Sequence, residues 1–144
     1  MTTRLCTIKL SIRDYDTKEE GKVVYNGEVV SIDEELRHYM FRFYNNESGT
    51  LLVTVDASKE VIKVIEKSEN INLSMGIKID TYEECLYDID SSRLELETRT
   101  FDVQFENNVI LFDYDLYAKN DIEHSKPLTR NVVRIEYEGD KKVC

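Results

Sequence analysis

The sequence predicts an all-β protein: a single antiparallel barrel of about eight to ten strands, with little helix. Three observations predict it. Apolar and polar residues alternate with period two in most segments, turn-forming residues recur at short intervals, and several of the alternating runs approach ten residues. Strands of that length suit a closed barrel better than a small sandwich. The chain has 144 residues, and one domain over 1–144 is expected. A domain of this size can bury about 70% of its unfolded surface and needs no disulfide or metal for stability.

The first strand is announced by Cys6, Ile8, Leu10 and Ile12 alternating with Thr7, Lys9, Ser11 and Arg13. A turn is expected at Asn26-Gly27. SIDEELRHYM carries Ser31 and Glu34 at capping-box spacing, and Leu36, Tyr39, Met40 and Phe43 fit a helix face. The aromatic density of YMFRFY nevertheless favours a strand. Asn45-Asn46 with Gly49 marks the next turn. SKEVIKVIEKSEN sets Val61, Val64 and Ile65 at helical spacing; propensity leaves helix and strand even there, so an α+β fold is the alternative. After a turn at Asp90-Ser91-Ser92, RLELETRTF sets Leu94, Leu96 and Thr98 against Glu95, Glu97 and Arg99. Beyond Asn107-Asn108, VILFDYDLY places Ile110, Phe112, Tyr114 and Leu116 on one face. Leu111, Asp113, Asp115 and Tyr117 fall on the other, and both aspartates are expected to be wet. A polar loop from Ala118 to Pro127 follows, and NVVRIEYEG turns Val133, Ile135 and Tyr137 inward.

Composition excludes several classes. The net charge of -10 and pI near 4.7 oppose phosphate backbones and anionic membrane surfaces. The densest late basic cluster, Lys126, Arg130 and Arg134, lies among Glu123, Glu136 and Glu138. Neither nucleic acid nor a membrane is therefore an expected partner. The longest apolar run is four residues, at 109–112, too short for a membrane-spanning helix. Cys6, Cys85 and Cys144 are odd in number and form no C-x-x-C. Unbridged thiols and no signal peptide predict a cytoplasmic protein, which leaves the N-x-S sequons at Asn46 and Asn72 without meaning.

Motifs for chemistry are sparse. Asp14/Asp16, Asp88/Asp90 and Asp113/Asp115 form D-x-D pairs, which on a strand could hold a divalent ion or an acid/base pair. In so acidic a chain a solvated strand face is the better reading. His38 and His124 are the two histidines, neither with a partner at metal spacing, and both are expected at the surface. No phosphate-binding glycine loop and no nucleophile elbow occurs, so neither a cofactor nor a metal is expected, and no catalytic residue can be named. The nine tyrosines are the one excess. Tyrosine pairs an apolar body with a polar tip and so lines ligand cavities well. Tyr44, Tyr87 and Tyr114 are the candidates to face inward, and Thr98 and Thr100 would add hydroxyls.

These residues resemble the YwiB-like family of small bacterial proteins of unknown function, over about Gly27 to Gly139. The resemblance is carried by Tyr114-Asp115-Leu116, by LELETRT from Leu94 to Thr100 following Tyr87, and by the closing NVVRIEYEG. It implies a calycin-type (lipocalin-like) β-barrel and makes EVIKVIEK a strand from Val61 to Glu66. The chain departs from the family pattern at Ser92, at Glu66-Lys67-Ser68 and at Asn45-Asn46. The family offers no catalytic residues to carry over.

Two functions follow. One is a binding module with a small, partly apolar, uncharged or cationic molecule in a lumen lined by Tyr44, Tyr87, Thr98 and Tyr114. The other is a structural or interaction module whose lumen its own side chains fill, meeting a protein partner or a second copy. An enzyme is least favoured.

Overall fold

A computed structural model describes residues 3–45 and 49–139. Eleven strands run in chain order: β1 (Leu5–Asp14), β2 (Glu20–Asp33), β3 (His38–Tyr44), β4 (Thr50–Asp56), β5 (Val61–Lys67), β6 (Ile71–Lys78), β7 (Tyr82–Ile89), β8 (Ser92–Arg99), β9 (Val103–Glu106), β10 (Val109–Ala118) and β11 (Thr129–Tyr137). No helix occurs among the described residues. Consecutive strands pair antiparallel from β1 to β8, and β11 closes the sheet by pairing with both β10 and β1. The result is a closed barrel of ten strands with β9 as an extra one. Four-residue β9 pairs with the first half of β10, while β8 pairs with its second half.

The helical patterns yield to the sheet. At SIDEELRHYM, β2 continues to Asp33, whose Oδ1 accepts the Leu36 backbone N–H at 3.0 Å in the turn into β3. EVIKVIEK becomes β5, with Ile62 and Val64 buried and Lys63 and Ile65 exposed. A residue pair buried at period two outweighs helix propensity once neighbouring strands are available to pair with it.

Asn26-Gly27, expected to turn, lies inside β2 instead. A Cβ at Gly27 would stand 2.0 Å from the Arg42 carbonyl oxygen. The glycine is needed because β2 and β3 approach too closely there for a side chain. A register shift between Val29 and Ser31 follows, a bulge that bends the long strand. Asn107-Asn108 does turn: both residues have positive φ, 38° and 66°, as a two-residue hairpin loop requires.

Antiparallel order puts the turns β1–β2, β5–β6 and β7–β8 at one end of the barrel and β2–β3, β4–β5 and β6–β7 at the other. Phe41, Phe43, Val53, Val55, Ile62, Ile77, Ile110 and Ile135 are fully buried in the core. The sequence's inward assignments hold for Cys6, Ile8, Phe112, Tyr114, Val133 and Ile135. Leu94 is an exception, half exposed near the start of β8. Cys6 and Cys85 are buried and unbridged; Cys144 and Asn46 lie outside the described residues.

Candidate functional site: a cavity in the barrel lumen

The core does not fill the lumen. Toward the end bearing the β1–β2, β5–β6 and β7–β8 turns lies a cavity of about 430 Å³. Its apolar wall comes from alternate residues of neighbouring strands, Leu10 and Ile12 of β1, Leu73 and Met75 of β6, and Phe112 of β10. Polar groups join it from Tyr25, Asn45, Glu66, Ser68, Tyr87 and Tyr114. The strand residues arrive by alternation, Glu66 after Ile62 and Val64 on the inward face of β5 and Tyr87 after Cys85 on β7, whereas Asn45 and Ser68 stand just past the ends of β3 and β5.

Glu66 is the one charged side chain among the described residues lining this space. Its Oε1 accepts a hydrogen bond from Asn45 Nδ2 at 3.3 Å. Asn45 is held in turn, its Oδ1 accepting the Gly49 N–H at 2.8 Å. Burial, and after it the nearby Glu66 carboxylate, hold the Tyr87 phenol above its ordinary value. Burial raises the Tyr114 phenol further still. Both rings therefore present neutral hydroxyls at ordinary pH.

Of the four residues expected to line the lumen, the structure brings two together, Tyr87 and Tyr114. Tyr44 faces outward, 43% exposed, into a surface groove with Val24 and Asn26. On β3 the inward positions are Phe41 and Phe43 with exposed Arg42 between them, so strict period two puts Tyr44 on the outer face with Arg42, and the inward expectation for it misreads that phase. Thr98 is buried but does not line the cavity, its hydroxyl donating to the Gly76 carbonyl at 2.6 Å. Thr100 is also buried, its hydroxyl without a hydrogen-bond partner. Tyr25, Asn45 and Glu66 were missed. The signal for Glu66 was present: once EVIKVIEK is a strand, period two carries it inward.

The D-x-D pairs serve other ends. Asp14 Oδ1 accepts the N–H groups of Asp16 and Thr17 in the β1–β2 turn, and Asp88 is forked by Arg93. Asp113 and Asp115 lie on the outer face as expected, but Asp113 is only partly wet and Asp115 is buried. Arg130 reaches Asp113 at 2.7 Å and Asp115 at 3.5 Å, and the Tyr15 hydroxyl donates to Asp115 at 3.0 Å. Asp115 is only 5% exposed. His38 is exposed beside Asp56. His124 is not a free surface residue: it stacks on Tyr82, meets the edge of Tyr117 and lies 3.3 Å from Glu97. Among the described residues, no group of three or more His, Cys, Asp or Glu side chains is placed to hold a metal ion.

Fold and site together define a closed antiparallel barrel with a half-open, tyrosine-lined lumen. Among solved structures, the crystal structure of the ywiB protein from Bacillus subtilis is similar, with a TM-score of 0.68, covering 96% of this chain and 93% of that one. Sequence identity is 14%, so the likeness shows the fold alone, and the fold is YwiB-like. No family model matches the sequence, and no curated protein matches it.

Proposed function

We propose that this protein is a non-enzymatic binding module that takes a small, partly apolar molecule into its lumen. The observation that carries the reading is the cavity of about 430 Å³, with apolar walls and a few convergent polar groups. That size and lining suit a small ligand. The calycin-type assignment suggested by the sequence is in keeping with a barrel built around such a space. Among the described residues the lumen side chains supply no nucleophile with a base and an orienting group, so a binding role is preferred to a catalytic one. Unbridged Cys6 and Cys85 support a reducing, cytoplasmic setting. Among the described residues no helix is long and apolar enough to cross a membrane.

Native mass spectrometry of freshly purified protein tests the proposal, backed by a thermal-shift screen of metabolites. A co-purifying mass of a few hundred daltons, or a stabilising metabolite lost in a Leu73→Trp variant that plugs the lumen, is the expected result. Stabilising ligands that are indifferent to the plug would place binding elsewhere and favour an interaction surface.

A further inference from the structure

We propose that the lumen selects a cation: a small primary amine or guanidinium compound with an apolar tail, its charged head held by Glu66 between Tyr25 and Tyr87. The inference rests on the lumenal binding reading and adds to it the charge and class of the ligand.

The geometry argues from charge balance. Among the described residues, those around the cavity include Glu66 and neither lysine, arginine nor histidine. No ion pair is made to Glu66 among the described residues. The stretch 46–48, next to Asn45, reads Asn-Glu-Ser and brings no cation in its sequence. One hydrogen bond, from Asn45 to Oε1, leaves acceptor capacity on a carboxylate that can take several donors. Glu66 is only partly buried, so water can take up the rest of that capacity, and a bound ammonium would replace the water with charge-assisted hydrogen bonds.

Cross-strand register supplies the place for it. Leu51, Glu66, Leu73 and Tyr87 form one inward row across β4 to β7. Glu66 and Tyr87 thus sit two strands apart, about 9–10 Å between backbones, with Leu73 between them. An ammonium group held by the Glu66 carboxylate would lie over Leu73 on the side of Tyr87, and the electron-rich tyrosine faces favour a cation. Its apolar tail would run inward along Leu10, Met75 and Phe112, all of which line the same space. The β1–β2, β5–β6 and β7–β8 turns add Asp16, Glu19, Glu69 and Asp90 against Lys18, while the β10–β11 connection, which meets this end beside Tyr15, sets Lys119 and Lys126 against Asp121 and Glu123; the net local field is negative and disfavours anions.

The test is a matched set: 4-phenylbutylamine, 4-phenylbutanol and 4-phenylbutanoate, titrated calorimetrically into the wild-type chain and into Glu66→Gln. The wild type should bind the amine at least about tenfold tighter than the alcohol, as a charge-assisted bond provides, and the carboxylate weakest. Glu66→Gln should remove the amine's advantage while leaving the alcohol's affinity within about twofold. Equal amine and alcohol affinities in the wild type would overturn the cation proposal and leave the lumenal reading standing. If all three bind equally to Leu73→Trp as well, the lumenal reading falls with it. Should Glu66→Gln fail to fold, the wild-type ranking still decides.

Discussion

Arg130 holds two carboxylates at once, and its guanidinium also lies 5.0 Å from the centre of the Phe101 ring. Asp115, its less exposed partner, has a side chain only 7% accessible. Removing the arginine strands that carboxylate with the Tyr15 hydroxyl as its remaining donor. Arg130→Met should therefore cost about 2 kcal/mol in urea unfolding, below the figure for a fully buried pair because Arg130 is partly exposed. A loss under about 0.5 kcal/mol would mean that water replaces it. Alternation assigned Asp115 to the outer face correctly but could not report what covers that face, because Tyr15 is 100 residues distant in sequence. Cys6 and Cys85 were easier, since alternation puts both in the core. Burial pushes their thiols up to about 12 and about 11. In a Cys144→Ser background, native protein at pH 8 should give no fast-reacting thiol, and denatured protein two.

At the scale of elements, β2 is the strand that composition misdescribes. Asn-Gly is a strong hairpin signal, yet here the glycine serves the crossing with β3. Gly27→Ala drives a methyl into the Arg42 carbonyl, and a backbone neighbour cannot swing away as a side chain can. A stability loss of about 2–3 kcal/mol is expected from such overpacking, whereas Gly21→Ala, with open space around it, should change little. Equal effects of the two substitutions would show that the close approach is absent. Strand existence was legible along most of the chain because one buried face imposes period two. At β9 the alternation of FDVQFE was present, but period two could not report that Val103–Glu106 shares β10 with β8 as an extra strand. His124 was misjudged because its contacts with Tyr82 and Glu97 join a loop to strands that sequence proximity does not relate.

For the whole molecule, the buried thiols and phenols set the alkaline limit. Cys6, Cys85, Tyr87, Tyr114 and Tyr137 all titrate higher when folded. Above the ordinary thiol value of about 9 the unfolded chain releases protons that the folded chain keeps, so unfolding becomes easier as pH rises. Stability to urea should accordingly hold to about pH 9 and decline steadily beyond it; a flat profile to pH 11 would contradict the burial of these groups. The cavity was the least legible feature. With few small residues in the chain, large side chains should dominate the inner face and fill a barrel of eight strands. Ten strands enclose a wider lumen, so the same side chains pack one end and leave the other hollow. Strand number decides this, and the sequence bounded it only as eight to ten.

The most direct test of a ligand-binding lumen uses the two described methionines. Met75 lines the cavity, and Met40 lies in an outer cleft with Ser31 and Thr54. With methyl-labelled methionine, adding 4-phenylbutylamine should shift the Met75 resonance progressively to saturation while Met40 stays in place. A Met75 signal unmoved at millimolar ligand, or one that moves only in step with Met40, would contradict a cavity that binds.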